Sequence, residues 1–529
     1  MHFLDLLSIA LLLVLPAASQ FTDPLAHLPY GDFQGKYDKT YNISYFRKIP
    51  FAAPPVGENR FRGPQPVVGV FNGTYDSNVA YDMCPQRTVN GSEDCLYLTL
   101  YSRPWREGME EKRPVMVFFY GGGFIQGAAG MGLPPSTYPV MNMSVVNDYI
   151  AVYPNYRTNA FGFLPGRRIK ESQTSDLNTG LLDQQAALKW VNENIQAFGG
   201  DPSNVTIWGQ SAGGGSVVAQ VLANRGATRP KLFQKAIASS PFWPRNYKYD
   251  DPEAEEIYDT LVRLTGCGDA RDSLRCLKEV DVQRIRGASQ VINAMHTYNT
   301  SSYTWAPVVD GEFLVEGLSS ATAAGRVNSE VVMGVYNRFE GSTFVSSALN
   351  STTSSGSSGT GAFNSTDERF RYWLKGFLPR LSERELAGVE RMYPKAVGNG
   401  GLLYTTQQDR AGYIYRDLIL ACPAYWIAAG SKNGYIGEYT ISPAKHASDV
   451  GYWNTVNSLQ TTQPTQYHGF AGSFGNMIMS GNPNGYSTWP DVKSGEQWIM
   501  SISGFSTGGL DELTARCKFW RGIGGSVPV

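Results

Sequence analysis

The chain has 529 residues, 42% of them hydrophobic and 17% charged, with a formal net charge of −1. So near-neutral a chain lacks the basic excess of a nucleic-acid or membrane-surface binder, and a small neutral partner suits it better. Its length would allow several domains, but no internal repeat or charged linker divides it, and large α/β enzymes keep one sheet over such a span. Residues 1–19 open with a short head, an apolar run from Leu6 to Leu15, and then Pro16-Ala17-Ala18-Ser19. The run is too short to cross a bilayer and the small residues after it suit a signal peptidase, although Asp5 departs from the usual positive head. No other segment is long and apolar enough to be an integral membrane segment.

Residues 45–66, YFRKIPFAAPPVGENRFRGPQP, are too rich in proline to stay helical and predict an extended segment wrapping an edge of the fold. Residues 114–120, PVMVFFY, are apolar throughout, as a strand covered on both faces should be, and run into Gly121-Gly122-Gly123-Phe124. A glycine loop after a strand can cradle phosphate, but the lysine and Ser/Thr of a P-loop are missing here. Residues 149–156 predict the next strand. Over 180–200, Leu181, Leu188, Val191, Ile195 and Phe198 share one helical face, and Gly199-Gly200 is the stop.

That helix delivers the chain to its most informative stretch, residues 204–218. A β-rich run, 205–208, meets Gly209-Gln210-Ser211-Ala212-Gly213, after which Val217, Val218, Val221 and Leu222 fall at helical spacing. Strand, sharp turn and helix put Ser211 at an apex, with small residues where a Cβ would collide with neighbouring elements. The free N–H groups of the new helix suit an oxygen that becomes negative during acyl transfer. The pentapeptide alone is weak, because Gly504-Phe505-Ser506-Thr507-Gly508 also fits it; no histidine follows Ser506 to serve as a base, and no long helical pattern follows either. Further β-like runs at 235–240, 330–335 and 434–440 alternate with helical stretches. The alternation predicts an α/β fold with a large, mostly parallel central sheet and helices on both faces. A Ser/Gly/Thr-rich tract, 346–366, predicts an exposed, mobile loop.

None of the six cysteines is arranged as a metal-binding pair, so they read as three disulfides of an oxidising compartment. Cys84 with Cys95 and Cys267 with Cys276 would close short loops, leaving Cys422 for Cys517. Sequons start at Asn42, Asn72, Asn90, Asn142, Asn204, Asn299, Asn350 and Asn364; the one at Asn204 runs into the strand before Ser211, which argues against its modification.

A serine hydroxyl becomes a good nucleophile when an imidazole takes its proton and an acid holds that imidazole. In the α/β-hydrolases, whose strand–turn–helix apex this stretch resembles, the chain order is serine, acid, histidine. His2 lies in the leader and His27 and His296 precede the best acid, which leaves His446 and His468. The chain resembles the type-B carboxylesterases of the cholinesterase and fungal-lipase group over about residues 31–520. The resemblance rests on YFRKIPFAAPPVGENRF, Ser92-Glu93-Asp94-Cys95-Leu96-Tyr97-Leu98, FFYGGGF, NYRTNAFGFL, GGDPSNVTIWGQSAGG, LFQKAIASS, WAPVVDG and GNPN near Asn482. It implies the α/β-hydrolase fold, with 20–529 as a single catalytic domain, and Glu340 of Phe339-Glu340-Gly341 as the acid. It implies His446 of His446-Ala447-Ser448-Asp449 as the base, whereas His468 falls where the family runs a helix. The oxyanion hole would come from the amides of Gly122, Gly123 and Ala212, and the family's disulfides match all three pairings above. No metal or cofactor is implied.

Two departures from the family narrow the expected substrate. Gln210 replaces the glutamate that precedes the cholinesterase nucleophile, and the ten residues between Cys84 and Cys95 contain no tryptophan. A quaternary ammonium would lose its counter-charge and its cation–π partner, which argues against choline esters. The same loop forms a long lid in the lipases; here it is too short to close over a pocket, though an insertion at 130–144 could cover the entrance instead. The expectation is a secreted serine hydrolase that cleaves small carboxylic esters through an acyl-enzyme, with activity fading below about pH 6 because His446 must be neutral to act as base. The alternatives are a lipase acting on long-chain acylglycerols and a non-catalytic adhesion or recognition protein that has kept this fold. Nothing in the sequence marks an oligomeric state.

Overall fold

The computed structural model describes residues 21–69, 73–104, 112–300, 304–354, 356, 363–395 and 404–529, without the side chains of 296–300. The expected signal peptide, the sequon at Asn72 and the side chain of Asn299 lie outside the described residues. In chain order the strands are β1 (Leu25–Leu28), β2 (Gly31–Gln34), β3 (Lys36–Asp38), β4 (Ile43–Pro50), β5 (Thr74–Asp76), β6 (Tyr97–Ser102) and β7 (Arg113–Phe119). They continue with β8 (Ile150–Pro154), β9 (Gly200–Gln210), β10 (Lys235–Ser239), β11 (Val331–Asn337), β12 (Asn433–Tyr439), β13 (Glu496–Ser501) and β14 (Gly504–Gly509). One 11-stranded sheet has the spatial order β14-β13-β12-β11-β10-β9-β7-β8-β6-β4-β3, and β1, β2 and β5 make a small second sheet. From β13 to β8 every neighbouring pair is parallel, and antiparallel pairs close both margins.

The central strands are apolar on both faces because each face has its own core. Successive side chains of a strand point to opposite sides. Val205 and Ile207 of β9 therefore join Val115, Val117 and Phe119 of β7 on one side, while Trp208 joins Met116 and Phe118 on the other. Helices Thr179–Asn194, Ala212–Gly226 and Cys422–Gly430 cover the first side. Helices Pro464–Ser480 and Tyr138–Asn142 cover the second. Full burial of each such aliphatic side chain contributes about 1.5–3 kcal/mol, so the sheet holds its carboxyl-end loops on a rigid frame.

Several sequence expectations need correction in detail. Residues 45–50 of the expected edge segment do not wrap an edge: they belong to β4, a strand of the sheet itself, covered by β3, whose register slips between Phe46 and Ile49. At the slip the amides of Arg47 and Lys48 both turn to the Ser77 carbonyl, at 3.2 and 2.9 Å. The helix ends at Asn194, a 3₁₀ turn follows over Ile195–Phe198, and Gly199 closes it at φ 80°; Gly200 already belongs to β9. The two ends of the 346–366 tract are anchored by buried Leu349 and Phe363. All three disulfides form, with Cα separations of 5.2 Å for Cys84–Cys95, 5.7 Å for Cys267–Cys276 and 5.4 Å for Cys422–Cys517. Among the described residues no helix is long and apolar enough to cross a membrane.

Candidate active site

The site is built at the carboxyl ends of β7, β9, β11 and β12. β9 stops at Gln210, the helix begins at Ala212, and Ser211 makes the turn alone at φ 58°, ψ −125°. A residue with a Cβ rarely holds such angles, and here the neighbours over-determine them. The Ser211 amide donates to the Ser239 carbonyl at 3.0 Å, and its own carbonyl accepts from Gly215 at 2.9 Å and Phe242 at 2.8 Å. A Cβ on Gly213 would lie 1.9 Å from the Phe119 carbonyl oxygen, and one on Gly209 would lie 2.2 Å from the Gly213 backbone. Only glycine allows β7, β9 and the helix to meet this closely.

Glu340 follows β11 by three residues and is fully buried. One carboxylate oxygen accepts from the Asn337 amide at 3.2 Å and the other lies 2.9 Å from His446 Nδ1. Since a carboxylate can only accept, Nδ1 carries the proton and Nε2 is left as the acceptor. That nitrogen lies 2.9 Å from the Ser211 hydroxyl and 3.5 Å from the Gln210 amide nitrogen. The loop after β12 that carries His446 has two left-handed alanines, Ala444 at φ 47° and Ala447 at φ 67°. It is stitched to the Glu340 loop by Phe339 N to Ala444 O at 2.9 Å.

Three residues here escaped the sequence reading. Buried Asp449 accepts from Asn337 Nδ2 at 2.9 Å and from Trp453 Nε1 at 3.0 Å, and Asn337 Nδ2 also reaches the Lys445 carbonyl at 2.9 Å. The two loops thus share one buried carboxylate. Phe344 packs its ring edge-on against His446, 4.9 Å between centroids, and stacks on Tyr415. Asp449 sat in plain view in the His-x-x-Asp pattern, but Asn337 and Phe344 carried no local signal.

The glycine run after β7 meets Ser211 at Gly121, where an added Cβ would lie 3.0 Å from the Ser211 Cβ, and Gly122 and Gly123 follow at φ 117° and 65°. Among the described residues their amides meet no acceptor, and Ala212, as the first residue of its helix, has no helical acceptor for its N–H. The Cys84–Cys95 loop lies against the residues that follow this glycine run. Gln86 exchanges hydrogen bonds with Gly127 at 2.7 and 2.8 Å, and the Arg87 amide reaches the Ile125 carbonyl at 3.1 Å. Arg286 holds the same loop from the other side through the carbonyls of Gln86 and Val89. Residues 138–141 of the 130–144 insertion are buried in the second core, where the Tyr467 hydroxyl donates to the Pro139 carbonyl at 2.7 Å.

The other candidates stand apart from this cluster. Ser506 lies exposed on the edge strand β14, and His468 is exposed on the helix Pro464–Ser480 with its ring beside Tyr486. Among the described residues no group of His, Cys, Asp and Glu could hold a metal ion.

A serine on a strand-to-helix turn of a mostly parallel sheet, met by a histidine and an acid from later loops, defines an α/β-hydrolase. The chain belongs to the carboxylesterase family, whose model matches residues 22–520. It is 28% identical to the carboxylesterase patB of Aspergillus clavatus over 98% of this chain and all of that one. It is 29% identical to the secreted triacylglycerol lipase LIP1 of Gibberella zeae over 88% of this chain and 84% of the relative. The fold matches the crystal structure of Aspergillus niger EstA with a TM-score of 0.81 at 24% identity, covering 96% of this chain and 99% of that one. The protein is a carboxylic ester hydrolase.

Proposed function

We propose that the protein is a secreted serine esterase in which Ser211 attacks the ester carbonyl, His446 takes and then returns the proton, and Glu340 orients the imidazole. The observation that carries this reading is His446 standing 2.9 Å from both Ser211 and Glu340. Attack gives a tetrahedral oxyanion facing the amides of Gly122, Gly123 and Ala212; collapse expels the alcohol, protonated by His446, and leaves an acyl-enzyme that water cleaves by the same steps. The preference for small carboxylic esters over long-chain acylglycerols rests on the Cys84–Cys95 loop. It is tied to Gly127 on one side and Arg286 on the other, so it acts as a brace for the glycine turn rather than as a lid. Gln210 beside His446 offers no charge to a cationic alcohol. Residues 1–19 as a signal peptide, 20–529 as one catalytic domain, and the three disulfides fit an extracellular setting.

A fluorophosphonate probe is expected to label the wild type and to leave Ser211→Ala unlabelled. An unlabelled wild type, or undiminished labelling of the variant, ends this reading. The printed name of the Gibberella zeae relative favours a second reading, a lipase. It is separated by tributyrin titration across the solubility limit, where a lidded lipase gains activity at the interface and a braced esterase shows none.

A further inference from the structure

Two sequons far apart in the chain meet at one surface groove. Asn42 ends the turn between β3 and β4 at φ 52°, and Asn142 ends the helix Tyr138–Asn142; both are exposed. The Tyr138 hydroxyl joins them, since it donates to the carbonyl of Tyr41 at 2.9 Å and to Asn142 Oδ1 at 3.2 Å. The Tyr41 and Tyr138 rings pack edge to face, 5.4 Å between centroids. With Pro104 and Val145 they line a groove of about 560 Å³ whose walls also include both asparagines, and Thr40 and Arg103 add polar groups to it.

The two carboxamides are used alike. Asn42 Oδ1 accepts from the Tyr37 hydroxyl at 3.0 Å and Asn142 Oδ1 from the Tyr138 hydroxyl, while neither Nδ2 has a hydrogen-bonded partner among the described residues. Nδ2 is the atom that carries an N-linked sugar, and the folded protein leaves it open to the groove at both positions. At Asn350 and Asn364 the same atom donates within the protein, to Gln408 at 2.7 Å and to Ser354 at 3.0 Å. The groove also leaves apolar surface in water. Val145 and Val146, directly after the Asn142-Met143-Ser144 sequon, are 89% and 68% exposed, and Val145 stands in the groove wall. Such side chains beside two tyrosine rings suit the C–H faces of sugar rings, whose hydroxyls then stay in water. The space falls within the roughly 300–1,000 Å³ of small-ligand sites, which is enough for the first sugars of two glycans.

We infer that Asn42 and Asn142 are paired N-glycosylation sites, and that the first sugar on each lies in this groove over Tyr41, Tyr138 and Val145. The inference rests on the extracellular reading above. In the transfer, Nδ2 bonds to the anomeric carbon of the first N-acetylglucosamine of a lipid-diphosphate-linked oligosaccharide. The bond from that carbon to the diphosphate oxygen breaks, the lipid diphosphate leaves with the electron pair, and the amide gives up one proton. The test uses the full chain, secreted with its own leader from a fungal host. PNGase F in heavy-oxygen water turns each glycosylated asparagine into a labelled aspartate, and peptide mass spectrometry is expected to find the label at both positions. Endoglycosidase H leaves one N-acetylglucosamine on each asparagine and is expected to leave Tm unchanged. The double variant Asn42→Gln with Asn142→Gln, which loses those first sugars, is expected to melt about 2 °C lower. Absence of the label at either position of the secreted protein overturns the pair. A double variant that melts with the endoglycosidase-treated wild type overturns the shared groove. A chain retained in the cell overturns the extracellular reading, and the inference with it.

Discussion

Ser211 owes its position to what its neighbours lack. Gly213 faces the end of β7 so closely that Gly213→Ala must push Phe119 or the helix away. We expect that variant to lose at least about 3 kcal/mol of stability and nearly all hydrolysis, checked by urea denaturation and nitrophenyl acetate turnover. Gln210 offers a finer test, since its amide nitrogen stands 3.5 Å from His446. Gln210→Glu places a carboxylate there, which favours the imidazolium, so the acid limb of the pH–rate profile should move up by about one unit while the alkaline side stays in place. Ser211 was legible from its five-residue context, because a strand, two glycines and a helix are local features. His446 and Glu340 needed the resemblance, since proximity across 106 residues leaves no trace in either loop. Asn337 and Phe344 were invisible for the same reason.

At the level of loops and strands, the fixed geometry depends on Asp449. It ties the loop after β12 to the end of β11 through Asn337, and bonds its own neighbour Trp453, so His446 and Glu340 are held in one frame. Asp449→Ala removes that link and leaves the Asn337 amide nitrogen with the Lys445 carbonyl alone. The expected outcome is a kcat lowered by about 10²-fold with KM changed much less, and a loss of about 2–4 kcal/mol in stability, read by Michaelis kinetics and thermal melting. The central strands were legible because they are covered on both faces and read as unbroken apolar runs, and the helix Thr179–Asn194 because Leu181, Leu188 and Val191 recur at helical spacing. β1, β2 and β5 were not, being three or four residues long and partly polar, nor were β13 and β14, which are six residues each and also partly polar. Residues 45–50 were misplaced because proline content speaks for extended backbone but not for what pairs with it.

Across the whole molecule, two kinds of buried group set opposite limits on alkaline stability. Burial lowers Lys235 from 10.5 to about 8, although its ammonium reaches Asn204 Oδ1 at 2.6 Å and the Ile478 carbonyl. Between pH 8 and 10.5 the unfolded chain holds a proton that the folded one has lost, so stability rises with pH, by at most about 3 kcal/mol. Burial raises the tyrosines instead: Tyr404 and Tyr467 to about 12, and Tyr30, Tyr81 and Tyr153 further still. Above pH 10 the unfolded chain releases phenolic protons that the folded one keeps, so stability falls. Urea denaturation at a series of pH values should therefore peak between about pH 9 and 10, and Lys235→Met should abolish the rise while leaving the fall. The backbone angles of Ser211 carry a last implication for durability. An alanine at 211 would keep the cramped turn, whereas a glycine would relax it, so Ser211→Gly should melt above Ser211→Ala by about 1–2 kcal/mol despite glycine's looser unfolded chain. A chain shaped by longevity alone would carry glycine there; on the hydrolase mechanism proposed above, the serine marks a place where endurance was surrendered for turnover.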